Sequence, residues 1–223
     1  TPFKTFNPSV LGNLKGVDAE AIEEMTEPRG HLFTAGVEVG SPPQRMRCLL
    51  DTGSAELWMP SKRCTNCKNN HHFHADKSST FMPAVARTDH GMMPVPVEFG
   101  YGDGEVVGFL VQDTITLGNR VFPNQSFIIV EQEDLPTERD WDGVCGLGWK
   151  QAERAADPLY KNRAVTGTRY VFSLVPSRDG MQAFFAAGEA PMSSIRPETL
   201  VWAPAEPLNT DGELTYWLPS GGL

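Results

Sequence analysis

Residues Cys48 to Trp58 read Cys-Leu-Leu-Asp-Thr-Gly-Ser-Ala-Glu-Leu-Trp, an apolar run that ends on a carboxylate, turns tightly and resumes as a second apolar run. A chain that buries both runs must set Asp51 at the end of an interior strand, where burial and neighbouring groups tune its protonation. Thr52 and Ser54 bring hydroxyls within reach of that carboxylate, and Gly53 permits a backbone approach that a side chain would block. Taken alone, Asp-Thr-Gly is more often an ordinary strand-to-turn aspartate satisfied by its own loop. The surroundings must decide.

Those surroundings read as β structure. Gly 21 and Pro 18 in 223 residues, with only short apolar runs, predict many strands and turns and a mainly β architecture. A hydrophobic content of 40% is enough for a substantial core, in one domain or one domain with extensions. His31 to Ser61 reads as two strands broken at Pro42-Pro43, since Pro43 can start a turn but cannot sit in a central strand, and the second strand delivers Asp51. Pro94 to Gly108 reads as a hairpin whose glycines at 100, 102, 104 and 108 allow a flexible tip and close approach to a ligand. Helix is predicted over Asp18 to Met25, from its acidic start and helix-forming residues. Lys150 to Tyr160 reads as a short helix or irregular turn.

A net charge of −9 without any Lys/Arg cluster argues against nucleic acid as a partner, because nothing is present to replace backbone counterions. No apolar stretch is long enough to span a membrane as a helix. The chain opens at Thr1 with no signal-peptide pattern, which leads us to expect a processed or trimmed product. Asn124-Gln125-Ser126 is a glycosylation sequon, expected in a surface turn between strands. Cys64 and Cys67 with His71, His72 and His74 nearby form a metal-like pattern, yet the crowding of the histidines on one short segment suits zinc poorly.

Five segments, in order, resemble the pepsin-like aspartic proteases. His31 to Gln44 is similar to the family's first hairpin with its Gly-x-Pro-x-Gln turn, and Asp51 to Ser61 to its first active-site loop. Ser78-Ser79-Thr80-Phe81 resembles the segment after the small cysteine loop, Phe99 to Gly104 the flap, and Trp141 to Gly148 the strand that backs the catalytic loop. The resemblance implies a closed, antiparallel β-barrel-like lobe with short helices. It implies Asp51 as the catalytic aspartate, supported by Thr52, Gly53, Ser54 and Trp58. Tyr101, Gly102, Asp103 and Gly104 would form the substrate-contacting flap, with Trp58 bonded to Tyr101 and with Asp103 standing where the family has Thr or Ser.

Further expectations follow from the same resemblance. Cys64 and Cys67 would form the family's small disulfide loop and imply a secretory origin, in an extracellular or acidic vacuole-like or lysosome-like compartment. Cys48 and Cys145 would lie on adjacent strands beneath the site, and we expect them as buried free thiols, with a second bridge as the alternative, because bridging geometry is restrictive. Neither cofactor nor metal is implied, and the partner is a peptide or protein substrate. Residues 1–30 would be an extension, interlobe strand or propeptide remnant, 31–200 the lobe, and 201–223 the start of a crossover to a second lobe. Tyr170 to Leu174 and Met181 to Glu189 would be the strands that close the first lobe, and Leu200 to Pro204 with Leu214 to Leu218 the entry to the crossover.

The family's chemistry needs two carboxylates that share one proton, one drawing a proton from the attacking water and the other protonating the carbonyl oxygen. The 223 residues hold no second Asp-Thr-Gly or Asp-Ser-Gly; Asp179-Gly180 and Asp211-Gly212 lack both the intervening hydroxyl residue and the apolar run. Three readings therefore stand: an endopeptidase whose second aspartate lies on another lobe, a single lobe active only as a homodimer, and an inactive lobe used for binding or scaffolding.

Overall fold

The computed structural model describes residues 21–26, 32–68, 71–101, 104–118, 120–135, 139–149, 156–162, 172–175, 183–187, 205–206 and 218–219. The chain opens with β1 (Ala21–Thr26), β2 (Thr34–Val39), β3 (Gln44–Asp51) and β4 (Leu57–Pro60). Then come the short β5 (Met82–Pro83), β6 (Val85–Thr88), β7 (Gly91–Pro94), β8 (Pro96–Tyr101) and the long β9 (Gly104–Leu117) and β10 (Arg120–Glu133). β11 (Gly143–Gly146), β12 (Phe172–Val175), β13 (Ala183–Ala187), β14 (Ala205–Glu206) and β15 (Leu218–Pro219) complete the set. Helical structure among the described residues is two 3-10 turns, Ala75–Lys77 and Leu159–Lys161, the second falling at the end of the 150–160 segment.

Strands β2, β3, β11, β4, β10 and β9 follow one another in the sheet, and β9 pairs back onto β2 to close a barrel. Closure removes the free edges that an open sheet of this size would expose. The pairing is mixed rather than wholly antiparallel, because β3 runs parallel to β11 and β10 parallel to β4. Alternation along the strands explains how several stay buried on both faces. Leu57 and Met59 point into a cluster with Val37, Met46, Leu50, Ile115, Phe127 and Ile129. Between them Trp58 points the other way, into a second cluster with Phe99, Val106, Ile128, Val130 and Val144.

The helix predicted over Asp18 to Met25 is not what forms: from Ala21 onward the chain is β1, which pairs antiparallel with β13 and with β2. Helix propensity is a weak bias, and two flanking strands outcompete it. β12 and β13 pair with each other and carry the sheet outward beyond β1, outside the barrel itself. Of the segments expected to enter a crossover, 200–204 and 214–217 lie outside the described residues; the adjoining β14 and β15 pair with each other.

Candidate active site

β3 ends at Asp51, and the backbone beyond it is held from several directions. Leu147 N donates to Asp51 O at 2.7 Å, Gly148 N to Ser54 O at 2.7 Å and Gly146 N to Glu56 O at 2.9 Å. The carboxylate Oδ1 accepts the Gly53 N–H at 2.8 Å, so the turn orients its own aspartate. Asp51 is half-buried, while Thr52 and Gly53 are exposed and Trp58 is fully enclosed. A Cβ on Gly146 would sit 2.4 Å from Ala55 C and 2.5 Å from Glu56 N, so only glycine lets the backing strand approach the turn this closely.

Beneath the turn, Cys48 and Cys145 form a disulfide with Cα atoms 5.7 Å apart, in place of the expected free thiols. The parallel register explains it. Cys48 pairs with Gly143 and Cys145 with Leu50, so the cysteines sit two residues out of step, on the same face of neighbouring strands, at a separation a bridge can span. Cys64 and Cys67 are also bridged, with Cα atoms 5.5 Å apart. Their sulfurs are bonded to each other, which leaves the zinc reading without thiolates. Of the nearby histidines, His71 pairs through Nδ1 with Asp142 Oδ2 at 3.1 Å.

The hairpin of β8 and β9 brings Tyr101 to the same region. The Trp58 indole N–H donates to Tyr101 Oη at 2.7 Å, and the Phe99 ring packs edge-on against the tyrosine at 5.4 Å. Burial pushes the Tyr101 phenol well above its ordinary pKa, with the carboxylates of Glu56 and Asp51 adding to the rise, so it remains a neutral hydroxyl. Gly104 opens β9 where a Cβ would overlap Asp134 O, which seats the tip of the hairpin against the chain just past β10. Gly102 and Asp103 lie outside the described residues.

Other positions were not singled out by sequence reasoning. Glu56 is buried at 3% exposure and acts on the Tyr101 phenol. Its place inside the apolar Ala55 to Trp58 run was the available signal. Asp142 accepts from Arg47 N at 2.7 Å and His71 N at 3.1 Å, and so ties β3, the loop after the small disulfide and the backing strand together. Asn124 is exposed but lies within β10, not in a turn between strands; it takes a left-handed φ of 51° where the register slips between Phe122 and Gln125.

A closed β lobe with an aspartate turn backed by a glycine strand, and a tyrosine hairpin within its electrostatic reach, defines a class, and comparison with known proteins agrees. The family model described as "Eukaryotic aspartyl protease" matches residues 32–184. The chain belongs to this pepsin-like family. It is 31% identical over 191 residues to the chymosin of Camelus dromedarius, covering 82% of this chain and 48% of that protein. Pepsin A-5 of Mus musculus is 31% identical over 188 residues, with 82% and 43% covered. The pregnancy-associated glycoprotein of Equus caballus is 30% identical over 206 residues, with 89% and 47% covered. The chain thus spans about half the length, or less, of these relatives.

Proposed function

We propose that this chain supplies the first catalytic aspartate, Asp51, and the flap, centred on Tyr101, of an aspartic endopeptidase. The observation that carries the reading is the Asp51 turn itself: a half-buried carboxylate that accepts the Gly53 N–H of its own loop, on a backbone whose Asp51 and Ser54 carbonyls are held by Leu147 and Gly148 just past the backing strand, with a neutral tyrosine hydroxyl nearby. Thr52, Gly53, Ser54 and Trp58 shape and support the turn. Gly102, Asp103 and Gly104 would continue the flap over a peptide substrate. A second carboxylate, from another lobe or a second subunit, would share one proton with Asp51, so that one group takes a proton from the attacking water while the other protonates the scissile carbonyl. That chemistry asks for no metal or cofactor. Residues 31–200 would form the lobe, 1–30 an extension or interlobe segment, and 201–223 the start of the crossover. Both disulfides favour an oxidising route through the secretory pathway, where glycosylation of exposed Asn124 would be compatible with its position.

The test is peptide cleavage from acid to neutral pH by the natural full-length protein and its Asp51→Asn variant. Cleavage should be favoured by acid, blocked by a statine-type mimic of the tetrahedral intermediate, and lowered by at least about 10³-fold in the variant, which keeps shape but loses the shared proton. Equal activity in both proteins would remove Asp51 from catalysis. The single Asp-Thr-Gly favours a second reading, a binding or scaffold lobe, which predicts peptide binding without cleavage in either protein.

A further inference from the structure

One group of buried side chains is left unused by the reading above. Arg139 and Glu133 form an ion pair with side chains only 5% and 3% exposed. The Arg139 guanidinium lies over the Trp141 ring, 4.6 Å from its centre. Trp141 meets Trp58 edge to face, with ring centres 6.0 Å apart and planes at 70°. Trp58 in turn donates its indole N–H to Tyr101 Oη. The line from ion pair to flap tyrosine is continuous.

The far end of that line is fixed. Glu133 is the last residue of β10; its N–H donates to Asn66 Oδ1 at 3.1 Å, and the Asn66 amide donates back to Glu133 O. Asn66 lies inside the small disulfide loop between Cys64 and Cys67. The next residue, Asp134, donates its N–H to Glu105 O at 2.8 Å, next to the tip of the flap hairpin, where Glu105 pairs with Gly100. The cross-linked loop, the end of β10 and the tip of the hairpin therefore meet beside the residue that holds Arg139. A cation over an indole face is attractive, and more so when shielded from water, so the pair helps fix the Trp141 ring that Trp58 meets edge to face. A pair this buried gives little net stability over an apolar replacement, which makes a positioning role the better account of it.

We propose that Arg139, anchored by Glu133, is a positioning residue for the flap, acting through Trp141 and Trp58 to hold the Tyr101 hydroxyl in place. Its value to a substrate rests on the protease reading; the mechanical link does not. Both can be tested in the natural full-length protein by measuring amide hydrogen exchange across β8 and the first half of β9, with β2 and β3 as internal controls. Arg139→Gln should speed flap exchange about tenfold and leave the controls unchanged, whereas Arg139→Lys, which keeps the cation, should restore most of the protection. In a Tyr101→Phe background Arg139→Gln should add nothing, because the bond it supports is already gone.

Arg139→Gln leaves Glu133 buried without its partner and could unfold the protein. The paired change Glu133→Leu with Arg139→Met avoids that by removing both charges, and it should loosen the flap to the same degree. Unchanged flap exchange in the folded paired variant would overturn the proposal. So would equal acceleration with and without the Tyr101 hydroxyl, which would mark Arg139 as merely structural. If peptides are cleaved, kcat/KM should fall about tenfold in Arg139→Gln and recover in Arg139→Lys. Loosened exchange without any cleavage by the parent protein would support the brace while refuting the protease reading.

Discussion

The turn that carries Asp51 and the hairpin that carries Tyr101 lie within electrostatic reach of each other, yet they are built in opposite ways. β3 has a strand on each side, a disulfide to one of them, and backbone hydrogen bonds received just past its end from Leu147 and Gly148. β8 has a single neighbour, β9, and Pro96, Glu98 and Gly100 along it are exposed. What fixes the tyrosine is a side-chain hydrogen bond and an edge-on Phe99 ring rather than a ladder on both edges. The aspartate turn is the better anchored of the two, since regions with few buried contacts and exposed hydrogen bonds open at lower free energy.

Removing the cross-link would break that contrast most severely. Cys48→Ala together with Cys145→Ala should destabilise the protein by about 2–5 kcal/mol, since the bridge closes a long loop and its sulfurs fill buried space; urea unfolding midpoints at constant m would read it. The expected loss centres on the aspartate side, so exchange protection should fall in β3 and β11 before β8.

Gly146→Ala attacks the same side without touching covalent chemistry. The added methyl meets backbone atoms of Ala55 and Glu56 that belong to the turn and cannot step aside, so a loss of about 1–3 kcal/mol is expected. Thermal or urea unfolding would measure it. A cost near zero would mean that the turn is far softer than its hydrogen bonds imply.

Tyr101→Phe sharpens the contrast from the flap side. It removes the acceptor of the enclosed Trp58 indole N–H, so global stability should fall by about 1–3 kcal/mol. A much larger loss would show that β8 is held to the barrel by more than its pairing with β9.

How much of this was legible beforehand depended on distance along the chain. The Asp51 turn and the glycine hairpin announced themselves because their determinants are local: an apolar run, a carboxylate, and glycines at close intervals. β1 was unreadable because its identity as a strand is decided by β13, whose partner Ala187 lies far downstream of Ala21. The Cys48 bridge depended on a parallel register offset by two residues, and nothing in either local sequence encodes that offset. Arg139 and Glu133 carry no local signal either; their burial is created by Trp141 and the small disulfide loop packing against them. Asn124 was found as a motif, but its surroundings were misread, because a register slip inside a long strand resembles a turn in sequence.

The parallel pairing of β3 with β11 also sets a timetable. A chain made from its N-terminus at about 5–20 residues per second leaves Cys48 without Cys145 for on the order of 5 to 20 seconds, since 97 positions separate them. During that interval Cys64 and Cys67 are the nearer thiols, and each is a wrong partner for Cys48. Only three positions separate those two from each other, so the small loop can close early and take both competitors out of reach. A Cys64–Cys67 bridge formed in that interval would leave Cys48 unpaired until Cys145 has been synthesised.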